Sequence, residues 1–324
     1  MRILVIRLSA LGDIVHALPA LTDLRGAFPQ ATIDFAVDER FVDLARLHGG
    51  IDRVLAIPLK RWKRKLTSAG TWRELARTVQ LLRAQPYDLV LDLHGLNKSA
   101  LVALTARSTL RIGPHPRFCG EWMGPRIYHR FCNTEGSIMP VPRMRAFVAD
   151  AIGQISPAKP SYGLAPAWSG GSSRQVLLIH STSAADKLWP EPHWIALGQR
   201  LIDGGWEPIL PWGDAAERER SERLVAAMGS PADVAPRKTL SEWAVFFSQT
   251  RMVVGVDTGL THLAAAYGVP SVAIFSATSS GLFAPQDPEQ SRAVGDLNQS
   301  PALEKVAEAA RDLLSRTATA PAGK

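Results

Sequence analysis

The sequence is poor in cysteine and has no long apolar stretch. Its two cysteines, Cys119 and Cys132, are too few for a disulfide scaffold and lack the spacing of a zinc site. No apolar run extends for ~18 residues without a charge, a glycine or a proline, so a transmembrane helix is not expected. The first apolar run, residues 3–6, has neither the length nor the small-residue cleavage site of a signal peptide. These absences predict a protein of the reducing cytoplasm.

Several sequence motifs of catalysis are missing too. The chain contains no Walker A motif, no G-x-G-x-x-G, no G-x-S-x-G and no H-E-x-x-H. It also contains no Asp-x-Asp pair, so a carboxylate-held divalent metal that carries a diphosphate is not expected. A departing diphosphate would have to be stabilised by a helix N-terminus and a lysine instead.

The charge balance is basic. The 324 residues include 37 lysines and arginines against 30 aspartates and glutamates, a formal net charge of +7. This excess permits an acidic partner such as nucleic acid, an anionic membrane face or a phosphorylated substrate, and it does not choose among them.

Predicted strands and helices alternate twice along the chain. The two runs, 1–158 and 174–300, are joined by a segment rich in Pro, Gly, Ser and Ala, and they predict two α/β domains with parallel sheets. Ligands bind outside the carboxyl ends of parallel strands, so we expect a site in a cleft that both domains face. A last helix over 301–316 is expected to pack back on the N-terminal domain, and a small-residue tail over 317–324 is expected to be disordered.

The best-defined unit lies between residues 252 and 275. An apolar strand over 252–256 leads into a polar turn, an alanine-rich helix over 260–267 and a second β-branched strand. The unpaired N–H groups and the dipole at the helix N-terminus favour an anion at this turn. The residues placed to face it are Asp257, Thr258, Gly259, Thr261 and His262. In the alternative interpretation, Asp257 and Thr258 only cap the helix.

A second polar turn follows the first predicted strand. Asp13 lies where that strand ends and a helix over 14–26 begins. A carboxylate can project into a cleft there, and the helix N-terminus favours its ionised form, as a general base requires. Aspartate is also a preferred N-cap residue, so capping explains the same position. His16 could orient Asp13, or it could be a histidine on the helix surface.

Two turns in the second half carry groups that suit a nucleotide. Thr182 and Ser183 precede Lys187 after a predicted strand, and hydroxyls beside a lysine suit a phosphate. A solvated loop with a helix cap would look the same. After the next strand, Trp212 could stack on a base and Glu217 could accept hydrogen bonds from ribose hydroxyls. Glu217 also belongs to a charged run that is typical of a solvated helix face.

The densest positive charge lies in residues 60–65. Lys60-Arg61-Trp62-Lys63-Arg64-Lys65 places five cations around one tryptophan. The run could bind phosphate or carboxylate groups of a substrate or contact anionic lipid. A basic run is most often an exposed loop, but this density favours a function. Lys98 and several arginines extend the positive charge within the first half.

These motifs, taken together, resemble those of the family-9 glycosyltransferases. The matching segments occur in order along nearly the whole chain: Gly12-Asp13-Ile-Val-His16, Lys60-Arg61-Trp62, Asp92-x-His-Gly95-Leu-x-Lys98-Ser99, Asp186-Lys187-x-Trp189-Pro190-Glu191, Leu210-Pro-Trp212-Gly213 and Val256-Asp257-Thr258-Gly259-Leu-Thr-His262.

The resemblance implies a GT-B fold, with an N-terminal acceptor domain and a C-terminal donor domain. The implied reaction transfers L-glycero-D-manno-heptose from ADP-L-glycero-D-manno-heptose to Kdo2-lipid A, with inversion at the anomeric carbon and without a metal or a cofactor. The implied location is cytoplasmic and peripheral, on the inner leaflet of the inner membrane, with no nucleic acid as partner.

The resemblance also implies a role for individual residues. Asp13 matches the catalytic base. The residues that match the donor site are Thr182, Ser183, Lys187, Glu217, Lys238, Asp257, Thr258, Gly259 and His262. Those in the region that holds the acidic acceptor are Lys60, Arg61, Arg64 and Lys98.

Two positions depart from the family pattern. Met139 stands where relatives carry a histidine, so an acceptor role for that position is not expected here. Lys238 stands where a methionine lies near the adenine, although a backbone contact would survive the change.

Other functions stay open on the residues alone. The chain could be a family-9 enzyme with a different heptosyl acceptor. A hydrolysing nucleotide-sugar epimerase shares the architecture, but it needs a proton-abstracting cluster that the sequence does not reveal. A basic nucleic-acid-binding protein would explain the charge, although the cations lie mainly in one half and no nucleic-acid module is recognised.

Overall fold

The computed structural model describes residues 1–65, 67–119, 121–132, 134, 139–165, 168–170, 173–285 and 287–319. The chain divides into two compact units, Met1–Gly163 and Leu164–Lys324. The division falls within the segment rich in Pro, Gly, Ser and Ala that separates the two predicted domains.

The N-terminal unit is built on a parallel sheet of six strands in the order β3-β2-β1-β4-β5-β6. The strands are β1 (Arg2–Ile6), β2 (Thr32–Val37), β3 (Arg53–Ala56), β4 (Leu89–Asp92), β5 (Arg111–Pro114) and β6 (Arg130–Cys132). β1 lies at the centre, where Ile3 pairs with Ile33 on one side and with Leu89 on the other. Both faces of β1 are buried, which explains its continuous apolar sequence.

Helices cover both faces of this sheet. They are α1 (Leu11–Ala27), α2 (Val42–Arg46), α3 (Leu59–Arg64), α4 (Ala69–Arg83), α5 (Asn97–Thr105), α6 (Gly124–Ile127) and α7 (Pro140–Ile152). α1 buries Ile14, Leu18, Leu21 and Leu24 at the predicted helical spacing and packs against α7. α7 begins at a proline, which suits a first turn, and ends at Gly153, whose φ of 67° is left-handed.

The C-terminal unit repeats the plan with a second parallel sheet of six strands, in the order β12-β11-β10-β7-β8-β9. The strands are β7 (Gln175–Ile179), β8 (Glu207–Leu210), β9 (Asp233–Val234), β10 (Met252–Val256), β11 (Ser271–Phe275) and β12 (Ser291–Gly295). The helices are α8 (Glu191–Asp203), α9 (Ala215–Met228), α10 (Leu240–Gln249), α11 (Gly259–Ala266), α12 (Ser280–Phe283) and α13 (Leu303–Thr319). The predicted α/β class with two parallel sheets is confirmed.

The last helix, α13, contributes to the core of the C-terminal unit. Its apolar side chains Val306, Ala310 and Leu313 are buried in the core of the C-terminal unit, together with residues of β10 and β11. Its apolar face therefore covers the second sheet, and a contact with the N-terminal domain stays a prediction. The helix continues to Thr319, beyond the predicted start of the disordered tail, and residues 320–324 lie outside the described part of the chain.

Most of the basic run lies in a short helix rather than in a loop. Residues 59–64, which include most of the basic run, form α3, and the Trp62 side chain is buried against the N-terminal core. Among the described residues, no helix combines the length and the apolar character needed to span a membrane.

Candidate active site

In the C-terminal unit, the turn after β10 is organised around the Asp257 carboxylate. Lys187 Nζ and Thr278 Oγ1 each lie 2.6 Å from Asp257 Oδ2, and His262 Nε2 lies 2.8 Å from Oδ1. The carboxylate is buried, so its charge is balanced by protein groups rather than by solvent. Burial on its own would raise the pKa of Asp257, but hydrogen bonds from His262, Lys187 and Thr278 outweigh it and hold that pKa well below its usual range.

These contacts test the alternative interpretation in which Asp257 and Thr258 only cap α11. The oxygens of Asp257 are engaged by Lys187, Thr278 and His262, and Thr258 is the N-cap residue of α11 in an extended conformation. Within the described part of the chain, Thr258 makes no side-chain capping hydrogen bond. The first N–H groups of α11 therefore keep their capacity to bind an anion.

The loop after β7 supplies the partner of Asp257. Lys187 ends a short 3₁₀ turn over Ala185–Lys187, and Thr182 Oγ1 lies 3.5 Å from the Asp257 carbonyl oxygen. Ser183 is exposed in the same loop. The structure thus brings Thr182 and Lys187 to the turn that carries Asp257, Thr258, Gly259 and His262, as the sequence predicts.

The predicted nucleoside contacts are engaged within the protein. Glu217 Oε2 accepts a hydrogen bond from the Gly213 N–H at 2.6 Å, and Trp212 Nε1 donates to the Ala235 carbonyl at 2.8 Å. Lys238 extends its ammonium over the Trp243 ring, 5.9 Å from the centroid. Glu217 therefore closes the turn at the start of α9, and its contact to a ribose stays a prediction.

In the N-terminal unit, Asp13 lies in the first turn of α1, directly after β1. Its Oδ1 pairs with Arg7 Nη2 at 2.9 Å, and its Oδ2 accepts from the Ala10 N–H at 2.9 Å. Burial acts to raise the pKa of Asp13, but the Arg7 charge and the Ala10 amide outweigh it and lower that pKa. The side chain is still 40% exposed, so an ionised carboxylate faces solvent at the carboxyl end of the central strand.

Further cationic and neutral nitrogen groups surround this turn. Lys98 Nζ donates to Ser9 Oγ at 2.6 Å, and the Leu8 N–H donates to His94 Nδ1 at 3.1 Å. Burial, reinforced by Arg7 and Lys98, lowers the pKa of His94 to about 3, so its ring is neutral at pH 7. Arg143 and Arg7 line one small cavity of about 80 Å³ together with His94.

Of these groups, sequence reasoning assigned a role to Asp13 and Lys98 and missed Arg7, His94 and Arg143. Arg7 was recognisable as a charge at the carboxyl end of a buried strand. His94 follows β4, which pairs with β1, so the parallel order brings both turns to one edge.

The basic run is only partly available to a ligand. Arg61 Nη2 lies 2.9 Å from Glu39 Oε2 and 2.7 Å from Glu74 Oε1, and Trp62 Nε1 donates to Glu74 at 2.9 Å. Arg61 thus anchors α3 to two carboxylates, which competes with a role in acceptor binding. Lys60 and Arg64 are exposed on α3 and form no ion pair with another described residue. Among the described residues, no group of three or more His, Cys, Asp or Glu side chains could hold a metal ion.

Two parallel six-stranded sheets, each with charged groups after the carboxyl ends of its strands, define an α/β protein of the GT-B glycosyltransferase type. The chain belongs to glycosyltransferase family 9 (heptosyltransferase), whose family model matches residues 72–311. It is therefore an enzyme of the glycosyltransferase class.

Individual relatives agree with this family. The chain is 35% identical to lipopolysaccharide heptosyltransferase 1 of Pseudomonas aeruginosa over 94% of its own length and 87% of the relative. Identity to lipopolysaccharide heptosyltransferase 2 of Salmonella typhimurium is 25%, over 86% and 84%. The E. coli heptosyltransferase WaaC, solved with ADP, superimposes with a TM-score of 0.86 at 29% identity over 98% of this chain and 100% of that one. The same enzyme with ADP-2-deoxy-2-fluoro heptose gives 0.80, over 98% and 99%.

We predict that Asp257→Ala lowers the free energy of unfolding by about 3 kcal/mol, because it leaves the Lys187 ammonium and the His262 ring without their buried carboxylate. Urea denaturation of the full chain measures this loss. The matched control is Asp203→Ala at the exposed end of α8, which should leave stability unchanged. Equal stability of the two variants would contradict a charge-balancing role for Asp257.

Proposed function

We propose that the chain transfers L-glycero-D-manno-heptose from ADP-L-glycero-D-manno-heptose to Kdo2-lipid A, with inversion and without a metal or a cofactor. The observation that carries the proposal is the ionised Asp13 carboxylate at the end of β1, surrounded by Arg7, Lys98 and Arg143. The cations can bind the acidic groups of the acceptor, and the carboxylate can accept the proton that the acceptor hydroxyl loses. The choice of acceptor is supported by the higher identity to heptosyltransferase 1 than to heptosyltransferase 2, 35% against 25%.

The donor is proposed to bind in the C-terminal unit. The diphosphate would face the N–H groups at the start of α11, where Thr258 and Gly259 lie, and the Lys187 ammonium. Lys187 is paired with Asp257, so donor binding would have Lys187 share its charge between the carboxylate and the diphosphate. Asp257 would then accept a hydrogen bond from a heptose hydroxyl. ADP complexes of WaaC at 29% identity support an adenine nucleotide as the donor group.

In the proposed reaction, an acceptor hydroxyl oxygen attacks the anomeric carbon of the donor heptose. A new carbon–oxygen bond forms, the bond from the anomeric carbon to the diphosphate oxygen breaks, and ADP leaves with the electron pair. The hydroxyl proton passes to the Asp13 carboxylate. Because Arg7 lowers the pKa of Asp13, the carboxylate is a weak base, and proton transfer comes late, as the attacking oxygen gains positive character.

The negative charge that develops on ADP needs preorganised stabilisation. Lys187 and the N-terminus of α11 are the groups proposed to supply it. The proposed location is the cytoplasm, with the enzyme peripheral on the inner leaflet of the inner membrane. Exposed cations such as Lys60 and Arg64 would there contact acidic groups of the lipid-linked acceptor or of the membrane. Nucleic acid is not a proposed partner.

The decisive assay is mass spectrometry of the products from ADP-heptose and Kdo2-lipid A, with EDTA present. We expect Kdo2-lipid A to gain the mass of one heptose residue, and the added chelator to leave the rate unchanged. An already heptosylated acceptor serves as the comparison. No mass gain on Kdo2-lipid A, with gain on the heptosylated acceptor, would assign the chain to a different acceptor. Free heptose formed without any acceptor would indicate a hydrolase, and inhibition by EDTA would contradict the metal-free reaction.

Replacing the proposed base tests the mechanism. Asp13→Ala should reduce kcat by about 10²–10⁴-fold, the usual contribution of a general base, while the affinity for ADP is retained. Titration calorimetry with ADP and a turnover assay measure the two effects. Asp43→Ala, which removes an exposed carboxylate from α2 of the same unit, should keep full activity. Asp13→Ala turnover within a few-fold of wild type would remove Asp13 from this role.

A further inference from the structure

An apolar groove opens between α3, α4 and α5 of the N-terminal unit. It has a volume of about 380 Å³, within the range of ~300–1,000 Å³ that is usual for ligand pockets. Mostly apolar side chains line it, among them Trp62, Trp72, Leu75 and Leu101. Such a concave apolar surface fits a hydrocarbon chain better than it fits a sugar or a nucleotide.

Two large apolar side chains of the groove are about half exposed to solvent. Trp72 is 56% exposed and Leu101 is 50% exposed, and both line the groove. A contiguous exposed apolar surface is unfavourable in water and marks a binding region when it is concave.

The charged side chains in the groove lining indicate which class of apolar ligand the groove binds. Lys63 and Lys98 are the cations in the lining. Lys98 also donates to Ser9 Oγ at 2.6 Å, and Ser9 belongs to the turn that carries Asp13. One lysine is thus shared between the groove and the surroundings of the proposed base. A ligand with an anionic head beside Lys98, near the Asp13 turn, and with an apolar chain in the groove would match both the charge and the continuity.

We propose that this groove binds one acyl chain of the lipid-linked acceptor, with Lys63 and Lys98 facing the anionic groups at the head of that chain. The inference rests on the proposed function, because it requires the acceptor of the reaction at Asp13 to carry lipid. It adds an acyl subsite to the sugar and phosphate contacts, so the enzyme should distinguish acylated from deacylated acceptor.

The test compares two leucines of α5 that differ in one respect. Leu101 and Leu104 are 50% and 51% exposed, but Leu101 lines the groove and Leu104 lies outside its lining. Each is replaced by glutamate, and KM is measured for Kdo2-lipid A and for its fully deacylated counterpart, in the same mixed detergent micelles. Circular dichroism checks the fold of both variants.

We expect Leu101→Glu to raise KM for the acylated acceptor about tenfold or more, because a carboxylate in the groove disfavours a hydrocarbon chain. Its KM for the deacylated acceptor should equal that of wild type, and Leu104→Glu should change neither value. An unchanged KM in Leu101→Glu would overturn the inference. So would an equal loss in both variants, since that would mean that the α5 face rests on the micelle surface. Transfer to neither acceptor by wild type would instead refute the proposed function, and the acyl subsite with it.

Discussion

Parallel strand pairing is the constraint on which the candidate site of each unit depends. In a parallel sheet every carboxyl end reaches the same edge, so turns far apart in sequence meet there. Asp13 follows β1 and His94 follows β4, two strands in direct register. Lys187 and Asp257 follow β7 and β10, which also pair directly. The chemistry of the protein is therefore set by which residues occupy these few turns, while the apolar strands only hold the turns in place.

In each unit, a carboxylate of the candidate site is paired with a cation. Arg7 pairs with Asp13, and Lys187 pairs with Asp257. In both pairs the carboxylate is kept ionised against the effect of burial, because hydrogen bonds and neighbouring positive groups lower its pKa. For Asp13 this means that the proposed base is ionised but weak. For Lys187 it means that the cation proposed to meet the diphosphate is held in position and must be shared with the donor.

Local sequence signals predicted most of the central fold. β10 lies at the predicted residues 252–256, and α11 lies within one residue of the helix predicted over 260–267, because an apolar strand, a polar turn and an alanine-rich helix are all encoded within a few residues. β12 was missed because Ser291 and Arg292 do not resemble a buried strand, and its pairing with β11 is decided by the sheet. The core that α13 joins is likewise not marked locally, since an apolar helix face is compatible with either sheet.

The site was predicted in part for a similar reason. Asp257, Lys187 and His262 stand out as polar groups after apolar strands, so their meeting could be anticipated. The partners of Arg61 could not, because Glu39 and Glu74 lie far from it in sequence and nothing local marks them as a pair. A dense basic run looks like a binding surface, whereas part of its charge fixes a helix.

The central claim is that Asp13 is the base and that Arg7 keeps it ionised. It is tested most directly by the pH dependence of kcat/KM, which reports the ionisations of the free enzyme, in wild type and in Arg7→Gln. Without the guanidinium, the pKa of Asp13 should rise, so kcat/KM of Arg7→Gln should begin to fall at a higher pH on acidification. Wild type should stay constant down to about pH 4, near the ordinary pKa of an aspartate. Identical acid limbs in the two folded proteins would contradict the claim.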